Sequence, residues 1–194
     1  MNILIDILPT SVNINGIEYE INSNFRTSIL FSLLIEDDEL SEEDKIIQAL
    51  ELYYPKIPDD IEKAIEKIIW FYRCGEIDIK TNKSNKKSYT QKRYLSYEED
   101  DKYIFSAFMS QYKIDLNRIK YMHWWKFKSL LDNINEDNIL SKIIQYRSID
   151  LSKITDKEQR KFYRDMQKRY ALKENINKEE QALLDEWNSK LNTN

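Results

Sequence analysis

One cysteine, one histidine, two glycines and three prolines are all that the 194 residues hold of these four types. A single thiol, Cys74, excludes an intrachain disulfide framework and any all-cysteine metal site. It ends the apolar run Ile68-Ile69-Trp70-Phe71-Tyr72-Arg73-Cys74, a setting that predicts a small buried side chain rather than a reactive thiol. A single imidazole, His123, cannot build a histidine-based metal site. A Ser–His–Asp arrangement would have to set it beside bulky indoles, so a structural or surface histidine is expected. Two glycines can scarcely form a phosphate-cradling loop. No enzyme activity and no cofactor are therefore expected.

The same scarcity of Gly and Pro argues against a sheet-rich fold, which needs many turns, and for long helices with short polar connections. No apolar run approaches the roughly 20 residues of a membrane span. The opening MNILIDILPT lacks the basic region and the apolar length of a signal peptide. The expectation is a soluble, intracellular protein with no membrane partner.

What is present is core-forming material. A hydrophobic fraction of 41% and an aromatic fraction of 12% support a sizeable core in one domain, or one domain with a tail. A charged fraction of 33% with a net charge of -4 describes a solvated surface, not one built for nucleic acid. The acidic clusters Glu36–Glu39 and Glu98–Asp101 fall at loops and helix starts. Dipole complementarity and solubility explain them better than cation binding. Residues 80–93, KTNKSNKKSYTQKR, read as a solvated basic loop, with contact to an acidic protein surface as the second reading. A nucleic-acid regulator using Lys86, Lys87, Lys92 and Arg93 is the third, disfavoured by the acidic whole.

In chain order, residues 11–22 alternate in polarity around Asn15-Gly16, a two-residue hairpin signal. Residues 2–7 are its candidate third strand, or else an amphipathic end that pairs with a partner. Asn22 or Asn24 caps a helix carrying Phe25, Ile29, Leu30, Leu33 and Leu34. Ser41 with Asp44 resembles a capping box for a helix with Ile46, Ile47, Leu50 and Tyr53 or Tyr54. After the turn at Pro55 and Pro58, Asp59 and Asp60 begin a helix striped with Ile61, Ala64, Ile65, Ile68, Ile69 and Tyr72. Gly75 suits the position just past its end. Ser96 with Glu99 opens a helix burying Ile104, Phe105, Phe108 and Tyr112.

Asp115 caps an expected helix over 116–131 that carries Ile119, Tyr121 or Met122, Trp124 or Trp125, Phe127, Leu130 and Leu131, more apolar surface than one stripe requires. Adjacent tryptophans lie about 100° apart on a helix. Either both pack in the core or one faces a second apolar surface, where it would serve as a partner anchor. Asn135 or Asp137 starts a helix with Ile139, Leu140, Ile143, Ile144 and Tyr146. Thr155 with Glu158 opens one through Leu172 whose inner face is Phe162, Tyr163, Met166 and Tyr170. The predicted architecture is mainly α: a compact multi-helix domain with a small N-terminal β-hairpin, over 1–175, interrupted by the basic loop 80–93. A charged C-terminal helix or flexible tail follows over 176–194.

Several strings together carry a family resemblance. They are Leu8-Pro9, Ile14-Asn15-Gly16-Ile17-Glu18-Tyr19-Glu20-Ile21-Asn22 with Asn24-Phe25-Arg26, then Trp70-Phe71-Tyr72-Arg73-Cys74-Gly75. Ile114-Asp115-Leu116, His123-Trp124-Trp125-Lys126-Phe127 and Tyr146-Arg147 complete them. In this order and spacing, over about residues 8–172, the chain resembles the bacteriophage gene-product-fifteen family of long-tailed phages and prophages of Gram-positive bacteria. The resemblance implies a tail assembly chaperone in the cytoplasm of the bacterial host, with the tape measure protein as partner and the tail tube protein as a further candidate. It implies no catalytic residues. A structural tail completion or connector subunit retained in the virion is the alternative. The expected contact is an apolar groove beside 116–131, with Tyr121, Trp124 and Trp125 as candidate partner-binding anchors.

Overall fold

The computed structural model describes residues 2–76 and 93–173. Strands β1 (Ser11–Ile14) and β2 (Ile17–Glu20) pair antiparallel, from Ser11 opposite Glu20 to Ile14 opposite Ile17. Asn15 and Gly16 turn the chain at φ 53° and 85°, the positive angles that a two-residue hairpin requires. Val12 and Ile14 point into the core. Residues 2–7 do not add a third strand. They close into a turn instead, with the Asp6 N–H donating to the Asn2 carbonyl at 2.8 Å and the Asn2 N–H to the Asp6 carboxylate at 2.6 Å.

Seven α-helices follow among the described residues: α1 (Phe25–Glu36), α2 (Glu42–Tyr53), α3 (Ile61–Tyr72), α4 (Asp101–Ala107), α5 (Trp124–Asp132), α6 (Ile139–Ser148) and α7 (Lys157–Arg169). The mainly α expectation with an N-terminal hairpin is met. Asn24, Ser41 and Asp60 cap α1, α2 and α3 through side-chain oxygens that accept N–H groups of the first turn. Two expected starts move by a residue or more. Asn138 caps α6 and Asp156 caps α7, because their carbonyl and carboxylate oxygens reach the Leu140 and Gln159 N–H groups. Ser96 accepts the N–H groups of Glu98 and Glu99 as expected, yet regular helix begins only at Asp101. Helix α4 then widens into a π-helical turn over Phe108–Tyr112, ended by Lys113 in the left-handed region. The turn is pinned to the end of α5: the Tyr112 hydroxyl donates to the Leu130 and Asn133 carbonyls, and Gln111 donates to Asn133 and accepts from the Asn135 N–H.

The predicted stripes are partly rotated. Helix α1 buries Phe25, Ser28, Phe31 and Ser32 rather than Leu30, because the Phe31 ring meets Tyr53 and Tyr72 edge-on and Ser28 hydrogen-bonds the Tyr53 hydroxyl at 2.8 Å. Ala49, Leu50, Tyr53 and Tyr54 are the buried residues on the α2 side, leaving Ile46 and Ile47 exposed, and Phe71 joins Ala64 and Ile68 under α3. The core centres on Phe127. Its ring stacks with Phe25 at 4.8 Å, Phe108 at 4.9 Å and Trp124 at 5.7 Å, and so clamps α1, the π-helical turn after α4, and α5 together.

One buried ion pair ties the second half. Asp100 is fully buried, and the Arg147 guanidinium of α6 binds it through two nitrogens at 2.6 and 2.9 Å. Arg147 also donates to the carbonyls of Tyr94 and Tyr170, at 3.0 and 2.6 Å. Helix α7 buries no residue fully and rests on α6 through Tyr146 against Phe162, Tyr163 and Tyr170. Replacing Arg147 by Ala strands a buried carboxylate. The expected cost is about 3–5 kcal/mol, a fall in Tm on the order of 10 °C in a thermal melt. Arg147→Lys should recover little of it, because an ammonium cannot reproduce the fork.

Candidate partner-binding surface

The segment 116–131 is not one helix. Asp115 caps only a single turn, its carboxylate accepting the N–H groups of Asn117 and Arg118. The chain then runs irregularly to His123, and regular helix begins at Trp124. The start of α1 explains the difference. The Arg26 guanidinium takes the Leu116 and Ile119 carbonyls at 2.6 and 3.0 Å, while the Phe25 N–H donates to Met122 and the Trp124 N–H to Ser23. Backbone groups that a helix would have satisfied internally are satisfied across the fold.

The two indoles follow from that start. Trp124 is 1% exposed and Trp125 5%. Both side chains cover the C-terminal end of α3, whose last carbonyls have no partner within their own helix. The Trp124 Nε1–H donates to the Tyr72 carbonyl at 2.8 Å, and the Trp125 Nε1–H to the Phe71 carbonyl at 2.7 Å. The Trp124 ring stacks on Tyr72, and the Trp125 ring meets Trp70 edge-on. Of the two alternatives the structure takes the first: both indoles are buried, with Trp125 reaching the wall of a surface cleft. Tyr121 is different. It is 51% exposed, with its hydroxyl 2.9 Å from the Ser23 Oγ. Of the three candidate anchors the fold gathers two into the core and leaves this one reachable.

His123 is buried at the junction of three elements. Its Nδ1 accepts the Trp125 N–H at 3.1 Å, capping α5, and its Nε2 lies 2.9 Å from the Pro9 carbonyl. Cys74 is half-buried, and burial pushes its thiol up to about 11, the behaviour of an unreactive thiol. Arg93, last of the basic stretch, pairs with Glu36 and, at 3.6 Å, with Glu99; residues 80–92 and the tail 176–194 lie outside the described residues. Among the described residues no group of three or more His, Cys, Asp or Glu side chains could hold a metal ion, and no helix is long and apolar enough to cross a membrane.

Apolar surface lies at the N-terminal turn and in two clefts that border the segment 116–131. In the turn over residues 2–7, Ile3, Leu4, Ile5 and Ile7 are 48%, 89%, 80% and 94% exposed. The sequence signal was present in four aliphatic residues within six positions, but it reads equally as a strand. A cleft of about 450 Å³ opens beside α1 and α4, lined by Ile29, Tyr97, Ile104, Phe105, Leu116 and Phe127 together with Asp101 and Lys102. A second, of about 780 Å³, runs from Ile3 past Trp70, Gly75 and Trp125 to Lys128 and Asp132.

Fold and surface together describe a helical protein with apolar clefts and an uncovered aliphatic segment. A family model described as bacteriophage Gp15 protein matches residues 4–172, and the chain belongs to that family. It is thus a bacteriophage protein, and membership points to a structural or morphogenesis role. No curated protein and no solved structure gives a significant match.

Two substitutions separate packing from surface. At Gly75, with φ 81°, an added Cβ would lie 2.9 Å from the Trp125 ring. Gly75→Ala should therefore cost about 1–3 kcal/mol, seen as a lower Tm with altered tryptophan fluorescence. Tyr121→Ala gives up one partly exposed hydrogen bond and should cost only about 1 kcal/mol.

Proposed function

We propose that this protein is a non-enzymatic tail assembly chaperone that binds the tape measure protein of its phage, with the tail tube protein as a further candidate guest, inside the bacterial host cell. The observation that carries the reading is the aliphatic segment Ile3, Leu4, Ile5 and Ile7, exposed on a member of a phage family. Monomeric proteins rarely leave contiguous apolar surface uncovered unless it meets something.

The physical need is plain. A tape measure is a very long, largely helical chain, and its apolar stripes stay bare until tube subunits polymerise around it. Bare stripes of that kind aggregate. A helix laid on an apolar groove is a recurring solution. Burying each Ile or Leu contributes about 1.5–3 kcal/mol. A few such contacts, less the ordering cost, suit reversible capture. Leu30 and Ile35, also exposed on α1, and the ring of Tyr121 extend the available surface. The net charge of -4 keeps such a complex soluble. Trp124 and Trp125 contribute as core, by holding α5 against α3.

Co-expression with the tape measure protein tests the proposal: the guest should stay soluble and co-purify. Leu4→Glu and Ile5→Glu should weaken co-purification several-fold while leaving Tm nearly unchanged, since both residues are exposed. Equal precipitation of the guest with and without this chain overturns the reading. Stoichiometric amounts in purified particles by mass spectrometry would instead favour a completion or connector subunit.

A further inference from the structure

His123 is held by both of its ring nitrogens in roles that only the neutral ring can play together. The Nδ1 must be a bare acceptor to take the Trp125 N–H, so the Nε2 carries the proton and donates it to the Pro9 carbonyl. One imidazole thereby caps α5 and fastens the chain just ahead of the hairpin to the core. It also sits where two backbone bonds, Phe25 N–H to Met122 and Trp124 N–H to Ser23, join the starts of α1 and α5.

We propose that His123 is a proton-sensitive latch: neutral, it fastens the Pro9 strap and the start of α5 together, and on protonation it lets go of the cap. An imidazolium has two N–H groups and no acceptor. Its new Nδ1–H would point at the Trp125 N–H, and its charge would sit at the positive end of the α5 dipole. Turning the ring to relieve this also abandons Pro9. The rings of Phe71 and Trp125 pack against the imidazole at 5.5 and 5.9 Å, and the main chain of Asn24 lies alongside. None of these groups is charged, and among the described residues His123 forms no ion pair with a carboxylate. Burial accordingly lowers its pKa from the ordinary 6.5, against a smaller opposing push from the Pro9 bond. The unfolded chain then binds the proton first. The latch's contribution to stability is complete above pH 6.5 and declines as pH falls below it, until the folded state also protonates. This inference is independent of the chaperone reading.

Because His123 is the only histidine, one labelled imidazole reports it without assignment. Histidine-labelled protein, titrated by NMR from pH 8 to 5, should show the Nε2–H tautomer at neutral pH. Its midpoint should lie below 6.5, and the Trp125 and Thr10 amide signals should shift with it. His123→Asn supplies a side chain that caps without titrating, so its Tm should fall less than that of the native protein over the same range. An Nδ1–H tautomer, a midpoint at or above 6.5, or identical Tm profiles in a folded His123→Asn protein overturns the latch. Should that variant not fold, tautomer and midpoint in the native chain decide.

Discussion

The salt bridge between Asp100 and Arg147 is the constraint on which the second half of the molecule depends. A carboxylate with no solvent exposure is tolerable only if its charge is answered within hydrogen-bond distance, and one guanidinium answers it through two nitrogens. The remaining capacity of that guanidinium reaches backwards to Tyr94 and forwards to Tyr170. Three stretches far apart in sequence thus meet at one side chain. The apolar contribution nearby is thin, since α7 has no fully buried residue. Geometry of charge, more than buried area, decides where the last helices lie.

The first half is held differently. There the aromatic rings do the organising, from Phe25 and Phe31 through Phe71 to Phe127, and polar groups are threaded between them with their partners supplied. Ser28 meets the Tyr53 hydroxyl, and the Tyr54 hydroxyl donates to the Ala64 carbonyl. The two indole N–H groups finish α3 in the way that a cap residue ordinarily would. Burial lifts the pKa values of Tyr53, Tyr72 and Tyr97, so these phenols stay neutral and serve as packing rings.

Local signals were legible wherever the chain settles its own backbone. Asn15-Gly16, the Ser41 cap and the position of Gly75 at φ 81° all follow from neighbours in sequence. What could not be read depends on partners nearly a hundred residues away. The start of α5 at Trp124 rather than near Leu116 follows from Arg26 and Ser23, and no periodicity within 116–131 reports them. The inward turn of both tryptophans follows in its train. Residues 2–7 failed for the opposite reason: the strand reading needed a neighbour to pair with, and the chain offered its own Asn2 and Asp6 instead. Membership of the bacteriophage Gp15 family was legible from short strings because those strings include these junctions: Asn24-Phe25-Arg26, Trp70 to Gly75, His123 to Phe127 and Tyr146-Arg147.

The π-helical turn over Phe108–Tyr112 fixes the length of the chain at that place. Such a turn carries one residue more than an α-helical path between the same ends. Deleting any residue there would let α4 run on as regular helix between the same ends, with the side chains inside the turn re-aimed by part of the roughly 100° that separates neighbours on a helix. Tyr112 and Gln111 would then leave the carbonyls of Leu130 and Asn133, which they serve only from the wider coil. Substitution in this turn is a matter of degree, whereas a change in the count of residues unhinges α4 from α5.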